Sequence, residues 1–274
     1  MFSGPDKKVY RQHHGGKSIE NPGAWQMAKR MAGTVTPAIM NNELNFTVLS
    51  GKIKTMDKPL LIYCYDAYCG WCYGFSPVIR KLCEQFHDKV QTEVVSGGML
   101  RGDTAIPIEQ AASFLTEACT RVERTTGVSF GTDFLWHVRN PRMSDWTMDS
   151  TLPAIALCVF RDYFPDLQIE FATALQQALF DEGRDLCDKE AYRNLLLQFR
   201  IPPDAFIQKM NEERYRILAE EDFRLCQQLK VSGFPALYLQ ESEQKVHQLC
   251  CGYLDYDQLA SKLDNALNLI AHNP

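Results

Sequence analysis

Two cysteines three positions apart, Cys69 and Cys72, stand in the stretch Tyr63-Cys64-Tyr65-Asp66-Ala67-Tyr68-Cys69-Gly70-Trp71-Cys72-Tyr73-Gly74-Phe75. The residues before the pair read as a short apolar strand and a tight turn. Those after it read as the opening of a helix. A thiol in the first helical turn meets backbone N–H groups that have no partner inside the helix, at the positive end of the aligned peptide dipoles. Both effects favour the thiolate, the reactive form of cysteine. A second thiol one turn on can close a disulfide with the first. The chemistry expected here is thiol–disulfide exchange at Cys69 and Cys72.

Zinc is the competing use of such a pair. A structural zinc site takes four ligands, and the chain holds no second C-x-x-C. His13 and His14 are adjacent and far upstream, without ligand spacing. No metal and no bound cofactor is therefore expected. The other eight cysteines read as packing thiols. Cys64 fits a core strand, and Cys83, Cys119, Cys158, Cys187 and Cys226 fall in helical patterns. Of the neighbours Cys250 and Cys251 on a strand, at most one points inward.

The elements that must position the pair follow from the hydrophobic pattern. Residues 1–55 carry an excess of five positive charges and the remainder an excess of ten negative ones. The first segment has no sustained period of 2 or 3.6, so a disordered extension is expected there, with the fold beginning at Met56. Leu60–Tyr65 is a near-continuous apolar run, as in a strand covered on both faces. A helix then runs to about Phe86, with a kink expected at Pro77. Val90–Ser96 is a second strand, ended by Gly97-Gly98. Helices are predicted over Ile108–Thr125, Thr151–Tyr163, Leu167–Phe180, Lys189–Phe199 and Pro203–Lys230, with no strand among them. Strands at Ala236–Gln240 and Lys245–Cys251 and a closing helix over Leu254–Ile270 complete the order β-α-β, helices, β-β-α. The net charge of −5 argues against nucleic acid as partner. With no secretory leader pattern and no apolar run long enough to span a bilayer, a cytoplasmic, non-membrane protein is expected.

Val231-Ser232-Gly233-Phe234-Pro235-Ala236 opens the third strand. Proline is tolerated at a strand's first position, and Gly233 supplies the tight turn. Together with Asp66-x-x-Cys69-Gly70-Trp71-Cys72-Tyr73, this segment resembles the thioredoxin superfamily, and within it the DsbA-like branch. Asp149-Ser-Thr-Leu-Pro-Ala154 and Leu175-Gln-Gln-Ala-Leu-Phe-Asp-Glu-Gly183 are similar to the FrnE-like cytoplasmic members of that branch. The resemblance covers about residues 58–270. It implies an α/β thioredoxin fold formed by 56–106 and 230–274, with a large helical insertion, 107–229, between the second and third strands. It further implies a cis peptide at Phe234–Pro235 that faces the disulfide and helps dock substrate, Cys69 as an exposed nucleophile, and Cys72 as the buried resolving thiol. The expected partners are thiol- or disulfide-containing proteins or small molecules, with redox exchange through thiols such as glutathione.

The chain departs from the family at two places. Thioredoxin and DsbA carry a buried acid six positions before the first cysteine, where this chain has Tyr63. Asp66 is a substitute for that acid, or else a turn and N-cap residue. The Gly70-Trp71 dipeptide matches neither relative, and because the central pair tunes redox poise, the direction of exchange stays open. Trp71 is either a substrate contact or packed on the insertion. Two rival readings stand beside the oxidoreductase. One is a glutathione-dependent isomerase or transferase of the kappa or 2-hydroxychromene-2-carboxylate isomerase type, which shares an Asp three positions before the reactive residue but has Ser in place of the first cysteine. The other is a binding module without catalysis.

Overall fold

The computed structural model describes residues 58–242 and 245–272. The expected N-terminal extension, with Met56, lies outside them. Strand β1 (Leu60–Tyr65) leads into α1 (Gly70–Phe86), which continues through Pro77, and then into β2 (Gln91–Ser96). The insertion holds β3 (Ile106–Pro107), α2 (Ile108–Thr126), α3 (Thr132–Arg139), β4 (Thr147–Met148), α4 (Thr151–Tyr163), α5 (Gln168–Phe180), α6 (Tyr192–Gln198), α7 (Pro203–Lys209) and α8 (Glu213–Gln228). The chain returns through β5 (Ala236–Gln240), β6 (Val246–Cys251) and α9 (Tyr256–His272).

The main sheet has the order β2-β1-β5-β6. Strand β1 runs parallel to β2 and antiparallel to β5, which pairs antiparallel with β6. Alternation along β1 sends Leu61, Tyr63 and Tyr65 to one core and Leu60, Ile62 and Cys64 to another. Helices α1 and α9 supply Phe75, Ile79, Leu259 and Leu263 to the first core, while α8 covers the second with Leu225, Cys226 and Leu229. Both faces are dry, which explains why β1 carries no polar alternation.

The insertion departs from its expected all-helical pattern at three points. Strands β3 and β4 pair antiparallel, Ile106 opposite Met148, so a short ladder does interrupt it. Two-residue strands leave no period to detect. Helix α3, eight residues long, escaped for the same reason. The single helix expected over 203–230 is broken between α7 and α8. There the Asn211 side chain donates to Ile207 O at 3.1 Å and its amide to Gln208 O at 3.0 Å. Local side-chain bonding of this kind competes with helix continuation.

A buried ion pair ties the insertion to the sheet. Arg161 of α4 meets Asp222 of α8 with Nη2–Oδ2 at 2.6 Å and Nη1–Oδ1 at 3.0 Å. Asp222 also accepts the Ser96 amide at the end of β2, 3.1 Å away, and Arg161 reaches Val94 O. Truncating Arg161→Ala would strand a buried carboxylate, at a cost of about 3–5 kcal/mol. Urea unfolding of that variant is expected to show this loss.

Candidate functional site

Cys69 is the N-cap of α1, in extended backbone geometry, and its sulfur accepts the Cys72 amide at 3.4 Å. The preceding turn is closed by the Cys69 amide on Asp66 O at 3.0 Å. From the far side, the Cys69 thiol donates to Phe234 O at 3.6 Å. The Phe234–Pro235 peptide is cis and immediately precedes β5. Thus Cys72 and Phe234, from segments more than 160 residues apart, meet at the Cys69 sulfur, and Pro235 follows Phe234 directly. All ten cysteines are free thiols.

One expectation is corrected. Cys69 is not an exposed residue: it is only 6% accessible, and Cys72 is fully buried. The reason is the insertion, whose α2 passes in front of the motif. That helix packs closest at Gly74, one turn into α1, where an added Cβ would lie 2.7 Å from Thr126 and 3.0 Å from Val122. Cys69 instead opens onto a cavity of about 160 Å³ between motif and insertion. Its walls are overwhelmingly apolar and include Trp71, Leu115, Cys119, Met148 and Phe234. Trp71 is half-buried, its ring centroid 6.4 Å from that of Tyr253, which follows β6. It therefore packs on the thioredoxin-like part and also lines the cavity.

Asp66 is a turn residue of an unusually buried kind, at 1% exposure. Its carboxylate accepts the amides of Tyr68 (3.0 Å) and Met99 (2.7 Å) and the hydroxyl of Ser150 (2.9 Å). It joins the motif turn to the loop after β2 and to the start of α4. Burial pushes its carboxyl above the ordinary range, against the pull of those three donors. Burial, and then the neighbouring Cys69 sulfur, push the Cys72 thiol well above its usual value.

The family model for the DSBA-like thioredoxin domain matches residues 61–264. The chain belongs to that family. Among solved structures, a candidate protein disulfide isomerase from Nitrosomonas europaea superposes with a TM-score of 0.68 at 24% identity, covering 78% of this chain and 99% of its own. The cytosolic disulfide reductase DsbM from Pseudomonas aeruginosa gives 0.61 at 24% identity, covering 77% and 99%. The same enzyme with GSH gives 0.59, covering 76% and 99%. These likenesses show the fold. No curated protein sequence matches the chain.

Two site-building residues of this DSBA-like domain had no individual role in the sequence reading. Gln176, in the Leu175–Gly183 motif, is 1% exposed. Its Nε2 donates to Asp66 O (3.1 Å) and Cys69 O (3.3 Å), and its Oε1 accepts the Ser76 hydroxyl (3.2 Å). The motif resemblance was the available signal, but nothing in it named the partner carbonyls. Gly97 read only as a strand terminator. A Cβ there would lie 2.1 Å from Cζ of Phe234, so the absent side chain makes room for the ring. Among the remaining thiols, Cys187 lies in a turn and not in a helix, within 3.4 Å of the Tyr68 hydroxyl and donating to Thr147 O at 3.0 Å. Cys250 points inward and Cys251 is half-buried, as alternation requires. Among the described residues, no helix is long and apolar enough to cross a membrane.

Gly97→Ala is expected to displace Phe234 and slow thiol–disulfide exchange by about tenfold or more, with the far-ultraviolet circular dichroism spectrum unchanged. Asp66 predicts a pH dependence. A carboxyl whose folded pKa is raised binds its proton more tightly in the native state. Its stabilising contribution is full below the ordinary range, about 4, and is lost as pH rises through the folded value. In urea titrations, wild type is expected to lose stability relative to Asp66→Asn as the pH is raised from acid to neutral.

Proposed function

We propose that this DsbA-like chain is a thiol–disulfide oxidoreductase whose working couple is Cys69 and Cys72. The observation that carries the reading is the Cys69 sulfur itself, held between the Cys72 amide at 3.4 Å and the Phe234 carbonyl at 3.6 Å while facing a cavity. The sulfur sits at a helix N-terminus, where backbone N–H groups have no partner inside the helix. In the reducing sense, the Cys69 thiolate attacks one sulfur of a substrate disulfide. The S–S bond breaks, one substrate half leaves as thiolate, and a mixed disulfide remains. The Cys72 sulfur then attacks the Cys69 sulfur, giving its proton to the departing second half. The protein is oxidised to the Cys69–Cys72 disulfide and the substrate gains two electrons. Two molecules of a thiol such as glutathione reverse the oxidation by the same steps, and the reduction potential of the couple sets the direction.

Asp66 and Gly70 shape the turn, Trp71 and Phe234 form the substrate-facing rim, and the buried Pro235 sits behind Phe234 at the start of β5. Because the nucleophile is reached through apolar walls, the substrate we favour is a disulfide bearing an apolar group. A reducing, cytoplasmic setting suits ten free thiols. The experiment is turnover of an aromatic disulfide by wild type, Cys69→Ser and Cys72→Ser. Cys69→Ser is expected to be inactive, and Cys72→Ser to stop at a mixed disulfide visible by mass spectrometry at Cys69. Full activity in Cys69→Ser would overturn the reading.

The apolar cavity also favours one rival, the glutathione-dependent isomerisation of a small aromatic compound. Such an isomerase would keep its activity in Cys69→Ser, so the same variant separates the two.

A further inference from the structure

The dithiol leaves one polar group without a role. Tyr63 lies on the face of β1 that α1 covers, in the same core as Cys72, with its ring centroid 6.0 Å from that of Phe75 one turn beyond. The side chain is 2% exposed, and its hydroxyl has no hydrogen-bond partner among the described residues. Buried polar groups are nearly always partnered, and an orphan costs free energy comparable to a lost hydrogen bond. What surrounds this hydroxyl explains it. Burial, and then the neighbouring sulfurs of Cys72 and Cys69, hold it protonated far above the ordinary tyrosine range. It is thus a donor without an acceptor, on the strand face that packs against α1 and in the core that also holds the Cys72 sulfur.

We infer that Tyr63 is a positioning residue for the resolving step, donating its O–H to the Cys72 sulfur as that sulfur takes up negative charge. This rests on the Cys69–Cys72 reading above. When Cys72 attacks the mixed disulfide, its S–H proton goes to the departing substrate sulfur. Its electron pair forms the bond to Cys69, and the Cys69–substrate bond breaks. Tyr63 keeps its proton throughout and supplies only the hydrogen bond. In the reverse sense an incoming thiolate breaks the Cys69–Cys72 bond, and Tyr63 donates to the sulfur that leaves. Asp66, another titratable group near Cys72, cannot take this part in the same way. The Asp66 carboxylate is spent on three donors, and its charge opposes a thiolate.

The test is a single turnover with 5,5′-dithiobis(2-nitrobenzoate), read by stopped flow. Cys69 releases the first coloured thiolate, and attack by Cys72 releases the second. Tyr63→Phe, which keeps the ring and removes only the orphan hydroxyl, is expected to leave the first phase within about twofold. The second is expected to slow about tenfold, the scale of one hydrogen bond to a charged group, with its pH midpoint moved up by about one unit. Thermal unfolding is expected to occur at or above the wild-type temperature. An unchanged second phase in Tyr63→Phe, or both phases slowed equally, would overturn the inference. A second release that persists in Cys72→Ser would instead overturn the redox couple itself, so the two failures are distinguishable.

Discussion

The site depends on one constraint of sheet geometry. Strands β1 and β5 are antiparallel neighbours, with Cys64 opposite Ala236. In such a pair the exit of one strand lies beside the entry of the other. The turn after β1 carries Cys69, and the turn before β5 carries Phe234 and Pro235. Adjacency in the sheet therefore brings together a helix N-terminus and a carbonyl from segments 165 residues apart. The side chains then refine the approach. Gly97 at the neighbouring strand end makes room for the Phe234 ring, and Asp66 fixes the turn from below.

The insertion does more than fill space between strands. Its α5 provides Gln176, which holds the carbonyls of Asp66 and Cys69, and its α4 begins at Ser150, which holds the Asp66 carboxylate. Its β3–β4 ladder contributes Ile106 and Met148 to the cavity wall. Helix α8 seals the opposite face of the sheet, and the Arg161–Asp222 pair anchors it. The turn that carries Cys69 and Cys72 is thus reached only on the terms that the insertion sets.

Much of this was legible in the sequence, and the limits are instructive. Leu60–Tyr65 and Thr151–Tyr163 announced themselves because continuous apolar character marks elements buried on all sides. That the turn of Cys69 and the segment of Phe234 belong together was legible through two motifs with defined neighbours. What stayed hidden were contacts between elements. Nothing local in Gly97 reports a ring from residue 234, and nothing in Gln176 reports which backbone oxygens it serves. The burial of Cys69 was invisible for the same reason: it results from α2 packing across the start of α1, at a closeness that Gly74 permits.

The Gln176 clamp has a consequence for the chain's modularity. A compact domain made by trimming 107–229 and splicing β2 to β5 would keep every strand of the main sheet and the sulfurs of Cys69 and Cys72. It would also strip the Ser150 hydroxyl from a buried carboxylate and the Gln176 amide that serves two backbone carbonyls at the helix start. The insertion and the thioredoxin-like core are in this sense one folding problem. Grafting the motif onto a smaller scaffold would require new donors at those same atoms.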